Sequence, residues 1–395
     1  MQRKQKKNNG ISLIILIITI IIMMILAATT IVLLNDAKIL SSAAKAIKEN
    51  DISNAKEIVV MARTDWRTND IQILEEGYTT FKSYAEDTLR EYGFQIGKNA
   101  GQLEVSETGQ LYEYKKPIIP NGFVGSSVET EDEVSEGFVI YQGSEVVTEE
   151  NVEVAKETRN QFVWVPVPNL NEFIYREGYS NGILQSYFIM GDVSEPCLSS
   201  SVPISEINDI TGEYAEYNAM KQSVEKYGGF YVGRYETGTT VSRTNISNST
   251  SFKVDKITPD ILIQKNKSVY NYVGWAPSMA TINGEIVDSN FNQGYGAVVL
   301  SRGLISSDAK CHLIYGLQWD ATMKFIEDRA DIKDSRKWGN YIDYNESVDE
   351  TNKVEGAGTL QNTGYSENWM CKNIYDLAGN VSEWTMEAFH GEFTR

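Results

Sequence analysis

The residues best suited to chemistry in this chain stand near its end, in Asn373-Ile-Tyr-Asp376-Leu-Ala-Gly379-Asn380-Val381-Ser-Glu383-Trp384. Asp376 to Asn380 reads as a turn on a glycine hinge, and Val381 to Trp384 as the start of a strand. Asp376 and Glu383 flank the turn as hard oxygen donors. With carbonyls from the backbone between them they could enclose Ca²⁺, which takes about six to eight oxygens. The same spacing also suits Asp376 capping its own turn while Glu383 faces water.

Other chemistry has few carriers. His312 and His390 are the two histidines, and Cys197, Cys311 and Cys371 the three cysteines. No two cysteines stand at C-x-x-C spacing, so the pattern suggests neither zinc nor redox work. They permit one disulfide at most, and the sequence leaves its pairing open. A lone cysteine is more often a small buried residue than a catalyst. The formal net charge is −18, although the first residues are basic. That balance argues against nucleic acid as a partner and favours solubility or cation binding.

The element that must position all of this is Ile11–Leu34, an uncharged run of Ile, Leu, Met and Val broken by Ser12, Thr19, Thr29 and Thr30. As a helix it reaches roughly 36 Å, enough to cross a ~30 Å hydrocarbon core with some tilt. Arg3, Lys4, Lys6 and Lys7 precede it. Positive flanks stay cytoplasmic, so the rest of the chain is expected outside, a single-pass cell-surface protein in contact with membrane lipid. Two readings compete: a buried core helix, which would have no polar face in an otherwise acidic chain, and a cleaved secretory signal. Ala27-Ala28 imitates its cleavage site, but the apolar run resumes at Ile31-Val32-Leu33-Leu34.

Beyond the anchor, residues 35–68 keep helical spacing, with Ala37, Leu40, Ala44, Ile47, Ile58, Val59 and Ala62 on one face and a break expected near Asn50-Asp51. A second helix is predicted over Tyr78–Tyr92, then a hairpin over Gly101–Tyr114 around Glu107-Thr108-Gly109. Residues 35–116 thus form an amphipathic stem and hairpin module. Pro117-Ile-Ile-Pro120-Asn-Gly122 marks a boundary. Residues 117–395 read as an irregular α+β domain. Its strands are Phe138–Tyr141, Phe162–Val167, Phe230–Tyr235 and Tyr272–Trp275; its helices are Met220–Tyr227 and Leu317–Arg329. Long polar loops at Ser180–Glu206, Ser242–Asp255 and Tyr341–Ser366 supply binding surface.

Two resemblances add to this. Lys6-Lys7-Asn8-Asn9-Gly10 followed by Ile11-Ser12-Leu13-Ile14-Ile15-Leu16 resembles the N-terminus of type IV pilins and pseudopilins. It implies a basic leader over residues 1–10, prepilin-type cleavage after Gly10 that leaves Ile11 as the mature N-terminus, and pilin or pseudopilin subunits as partners. Major pilins carry Glu at the fifth mature position, where this chain has Ile15. That departure suits an anchored or minor pilin-like protein better than a fibre body.

The segment Asn373–Trp384 resembles the Gly-Asn-Val-x-Glu-Trp signature of the formylglycine-generating enzyme (sulfatase-modifying factor) superfamily, which has a C-type-lectin-like fold. Gln161-Phe-Val-Trp-Val-Pro-Val167, Phe230-Tyr-Val-Gly-Arg-Tyr-Glu236 and Leu317-Gln-Trp-Asp-Ala321 fit further pieces in order. The resemblance spans about Phe123 to Arg395. It implies a structural Ca²⁺ held by the side chains of Asp376 and Glu383 and the carbonyls of Gly379 and Val381. The enzymes of that family carry two copper-binding cysteines after an Arg-Gly-Gly segment downstream of the signature. Neither is present before Arg395, and Cys371 lies upstream, so the domain is expected to be incomplete and without catalytic residues. The function this implies is a displayed, non-catalytic lectin-like domain that binds an external protein or glycan. A formylglycine-generating activity and a variable-loop receptor scaffold are the alternatives.

Overall fold

The computed structural model describes residues 37–68, 73–74, 76–170, 213–240, 261–271, 297–305, 309–327 and 335–386. The expected anchor at Ile11–Leu34, the processing pair Gly10 and Ile11, Cys197, His390 and the strand at Tyr272–Trp275 lie outside them. Among the described residues no helix is long and apolar enough to cross a membrane. The chain divides into two units, residues 1–94 with 105–111, and residues 95–104 with 112–395. Together they mix helix and antiparallel sheet.

The first unit is built on α1 (Ala37–Thr68) and α2 (Phe81–Glu91). Ala55, Val59 and Ala62 recur at helical spacing and are buried, as are Ala85 and Leu89 of α2. The helix runs through Asn50-Asp51, where a break was expected. Propensity there costs only tenths of a kcal/mol per residue, less than the burial of Ala55, Val59 and Ala62 beyond it supplies. Trp66 meets Phe81 edge-on at 6.2 Å and Tyr84 at 5.9 Å between ring centroids. Thr80 caps α2 by accepting the Ser83 N–H at 3.2 Å, which starts the helix later than its apolar spacing suggests. At the other end the Phe94 N–H reaches the Leu89 carbonyl at 3.1 Å, across Gly93 at φ +89°.

The expected hairpin forms from β1 (Leu103–Val105) and β2 (Leu111–Glu113). Its turn closes with the Ser106 N–H on the Gln110 carbonyl at 2.8 Å, and Gly109 supplies the positive φ.

The second unit carries a four-stranded antiparallel meander of β3 (Phe123–Gly125), β4 (Val139–Gln142), β5 (Gln161–Pro166) and β6 (Gly229–Gly233). Helix α3 (Val152–Thr158) joins β4 to β5, and α4 (Glu213–Tyr227) precedes β6. Then come β7 (Gly238–Thr239), which pairs with β8 (Ser268–Val269), helices α5 (Ala297–Gly303), α6 (Gly316–Glu327) and α7 (Tyr344–Ser347), and the small ribbon of β9 (Met370–Cys371) and β10 (Ile374–Tyr375).

Alternation in the meander sends side chains to two covered faces. Val139, Tyr141, Val163, Val165 and Phe230 pack with Met220 and Val224 of α4 and Leu317, Phe325 and Ile326 of α6. On the opposite face Phe123, Ile140 and Phe162 pack with Ile263, and Trp164 with Tyr114 and Val134. Burial on both faces is why β5 reads as a continuous apolar run. An ion pair sits inside. Arg234, just past β6 and 2% exposed, donates to Glu131 at 2.7 Å, to the Tyr141 hydroxyl at 2.9 Å and to Asn373 at 3.2 Å.

Candidate functional site

The site grows from the ribbon β9–β10. Its two-residue turn, Lys372-Asn373, has φ +48° and +62°, the left-handed pair of a tight type I′ hairpin. Two more non-glycine residues, Asp376 at φ +47° and Asn380 at +55°, share that region a few residues on. Strained backbone of this kind costs roughly 1–3 kcal/mol per residue, so the surroundings must over-determine it. They do. Asn373 Nδ2 donates to the Thr130, Glu136 and Gly137 carbonyls, and the Tyr375 N–H to the Arg234 carbonyl at 2.9 Å.

Asn340 holds the next turn. The Asn380 N–H donates to its carbonyl at 2.9 Å, and its Nδ2 donates to Asn380 Oδ1 at 2.8 Å and the Thr359 carbonyl at 2.7 Å. Gly379 has φ +98°, and a Cβ there would stand 2.7 Å from the Asn340 nitrogen. Only glycine fits that approach. Asn380 Nδ2 in turn donates to Glu236 Oε2 at 2.6 Å, and the Val381 N–H also reaches the Glu236 carboxylate. With these donors taken by side chains, Val381–Trp384 does not form the expected strand.

Three carboxyls thus converge on one region: Asp376 and Glu383 from the signature, and Glu236 from beyond β6. Asp376 is 1% exposed and Glu236 part-buried. Oδ1 of Asp376 and Oε1 of Glu236 are buried without a hydrogen-bond partner. Burial pushes Asp376 up to about 7, against the pull of the Gly364 N–H. That donor lies in a distant loop, so Asp376 does not cap its own turn. Glu236 is raised by burial and then by the negative charge of Asp376, with Glu383 adding to it. Burial also pushes Glu383 up to about 8. The residue as a whole is solvent-exposed, so water offsets part of that effect.

Among the described residues no three His, Cys, Asp or Glu side chains stand close enough to share one ion. A cation here would rest on two carboxylates and backbone oxygens, the donor set a hard ion such as Ca²⁺ accepts. The three acids line a cavity of about 1400 Å³, with the exposed side chains of Leu360 and Trp384 along it. Typical small-molecule pockets are ~300–1,000 Å³.

The thiols are placed for packing. Cys371 is 1% exposed and donates to the Ile326 carbonyl at 3.7 Å; Cys311 is half-buried, and burial pushes its thiol up to about 11. Both are free. His312 turns Nδ1 to the Leu313 carbonyl at 2.6 Å, and burial lowers its pKa, which keeps it neutral. Glu236 and Asn340 are the site residues the sequence pattern missed. Glu236 stood in sight at the end of an apolar strand, where a carboxylate is out of place; Asn340 left no signal. Comparisons with protein-family profiles, with curated proteins and with solved structures return no match.

Proposed function

We propose that this chain is a membrane-anchored, pilin-like surface protein whose second unit is a non-catalytic, lectin-like binding domain for an external protein or glycan. The observation that carries the reading is the uncharged run Ile11–Leu34 behind a basic leader, followed by a strongly acidic remainder. The second unit supports a binding role. Its cavity is larger than a small metabolite needs and suits an extended ligand. The thiols of half-buried Cys311 and buried Cys371 support the non-catalytic part, because a thiol held up near 11, or packed in a core, is not a thiolate at neutral pH. In this proposal Asp376 and Glu383, with the carbonyls of Gly379 and Val381, seat a structural Ca²⁺. The unpartnered Asp376 oxygen supports it, since a buried carboxylate calls for a positive neighbour.

The test is membrane fractionation with protease shaving of intact cells. The expected result is a membrane-bound protein whose second unit is released by external protease. A protein found in the soluble cytosolic fraction, or one shielded from protease in intact cells, overturns the reading.

A further inference from the structure

Glu236 comes from a different element than the two acids proposed to seat the ion, yet it is tied to their turn. Its Oε2 accepts from Asn380 Nδ2 at 2.6 Å, and its carboxylate also takes the Val381 N–H. Both donors lie between Asp376 and Glu383. Its Oε1 is buried and bare, as is Oδ1 of Asp376, itself 1% exposed. All three carboxyls line the same cavity. A carboxylate that spends one oxygen on the frame of a turn and leaves the other bare is costly unless positive charge faces it.

We infer that Glu236 is an outer-shell residue of the cation site: one oxygen fixes the turn that offers the Gly379 and Val381 carbonyls, and the other faces the hydrated side of the ion. This rests on the reading of Asp376 and Glu383 as Ca²⁺ ligands. Because no three side chains among the described residues are close enough to share an ion, Glu236 acts across water. Such partners tune affinity by charge and hold first ligands in place. The ion then couples the segment after β6 to the turn between Asp376 and Glu383.

The experiment uses the full chain in detergent micelles, with Tb³⁺ as the luminescent probe, excited through Trp384 beside Glu383, and Ca²⁺ as competitor. Glu236→Gln keeps an acceptor for Asn380 and Val381 and removes the charge; Glu236→Asp keeps the charge on a shorter arm. Glu236→Gln is expected to weaken Ca²⁺ by roughly 10–100-fold while its melting temperature in EDTA stays at or above that of the parent. Glu236→Asp is expected to bind more tightly than Glu236→Gln. A Glu236→Gln protein with parental Ca²⁺ affinity overturns the role of Glu236 and leaves the ion in place. If Glu236→Gln does not fold, an Asp variant that weakens binding as much as Asp376→Asn overturns it instead. A parent chain that binds neither ion sinks the Ca²⁺ reading and this inference with it.

Discussion

Asp376→Asn separates the cost of a buried acid from its use. Asp376 is 1% exposed, has one oxygen without a partner, and is pushed by burial from 3.8 to about 7. A displacement of that size corresponds to about 4 kcal/mol. The folded chain holds this proton more tightly than the unfolded chain does. The stability it contributes is therefore complete below about pH 4, declines as pH rises, and is gone above about pH 7. Asparagine has no proton to lose, so the variant lacks that slope. In EDTA at pH 8 the Asn variant is expected to be the more stable protein by up to about 4 kcal/mol. For a domain of this size that is a melting shift of roughly 10 °C. At pH 4 the two should melt together. With excess Ca²⁺ at pH 8 the parent gains stability by mass action and the variant gains less, so the gap narrows or reverses. Calorimetry from pH 4 to 8.5, with EDTA or with Ca²⁺, reads all three points. Parallel pH slopes for parent and variant in EDTA would refute the reasoning.

Arg234→Met should cost about 3–5 kcal/mol in urea unfolding, because it leaves Glu131, 1% exposed, without its cationic partner. Adding Glu131→Leu should recover much of that loss; a double variant as unstable as the single one would contradict the account. Gly379→Ala, at φ +98° with its Cβ 2.7 Å from the Asn340 nitrogen, should lower stability by roughly 1–3 kcal/mol and weaken Ca²⁺ together, whereas Gly303→Ala, with open space around it, should change neither. Thr80→Ala removes the cap of α2 and should cost the first unit about 1 kcal/mol, followed through Trp66 fluorescence against denaturant.

Three of the four meander strands were legible because each is a short apolar run between turn residues, and the structure sets β4, β5 and β6 within a residue or two of the predicted bounds, whereas β3, three residues long, was not among the predicted strands. Phe162 to Val165 could not reveal sheet order, since both faces are buried and no alternation marks one of them. The hairpin announced itself through Glu107-Thr108-Gly109, where a positive φ needs glycine. The ribbon β9–β10 did not, because its turn uses Lys372 and Asn373 in a conformation that glycine usually fills. Two of the three acids were visible, as the pair Asp376 and Glu383. Glu236 lies 140 residues before Asp376 in the chain, and long-range contacts such as the Tyr375 N–H on the Arg234 carbonyl and Asn380 Nδ2 on Glu236 bring the two together. Local spacing carries no trace of such a contact.

Synthesis order gives the interior charge a further consequence. Glu131, Tyr141 and Gln161 emerge from the ribosome well before Arg234, yet the guanidinium also needs Asn373, 139 residues later, and Asn373 in turn closes on the Thr130 carbonyl across 243 residues. A nascent chain that has exposed all four strands still cannot finish pairing its inner arginine. The hydrogen bonds of that guanidinium are therefore complete only after translation has passed Asn373, and contacts of such long sequence separation form late.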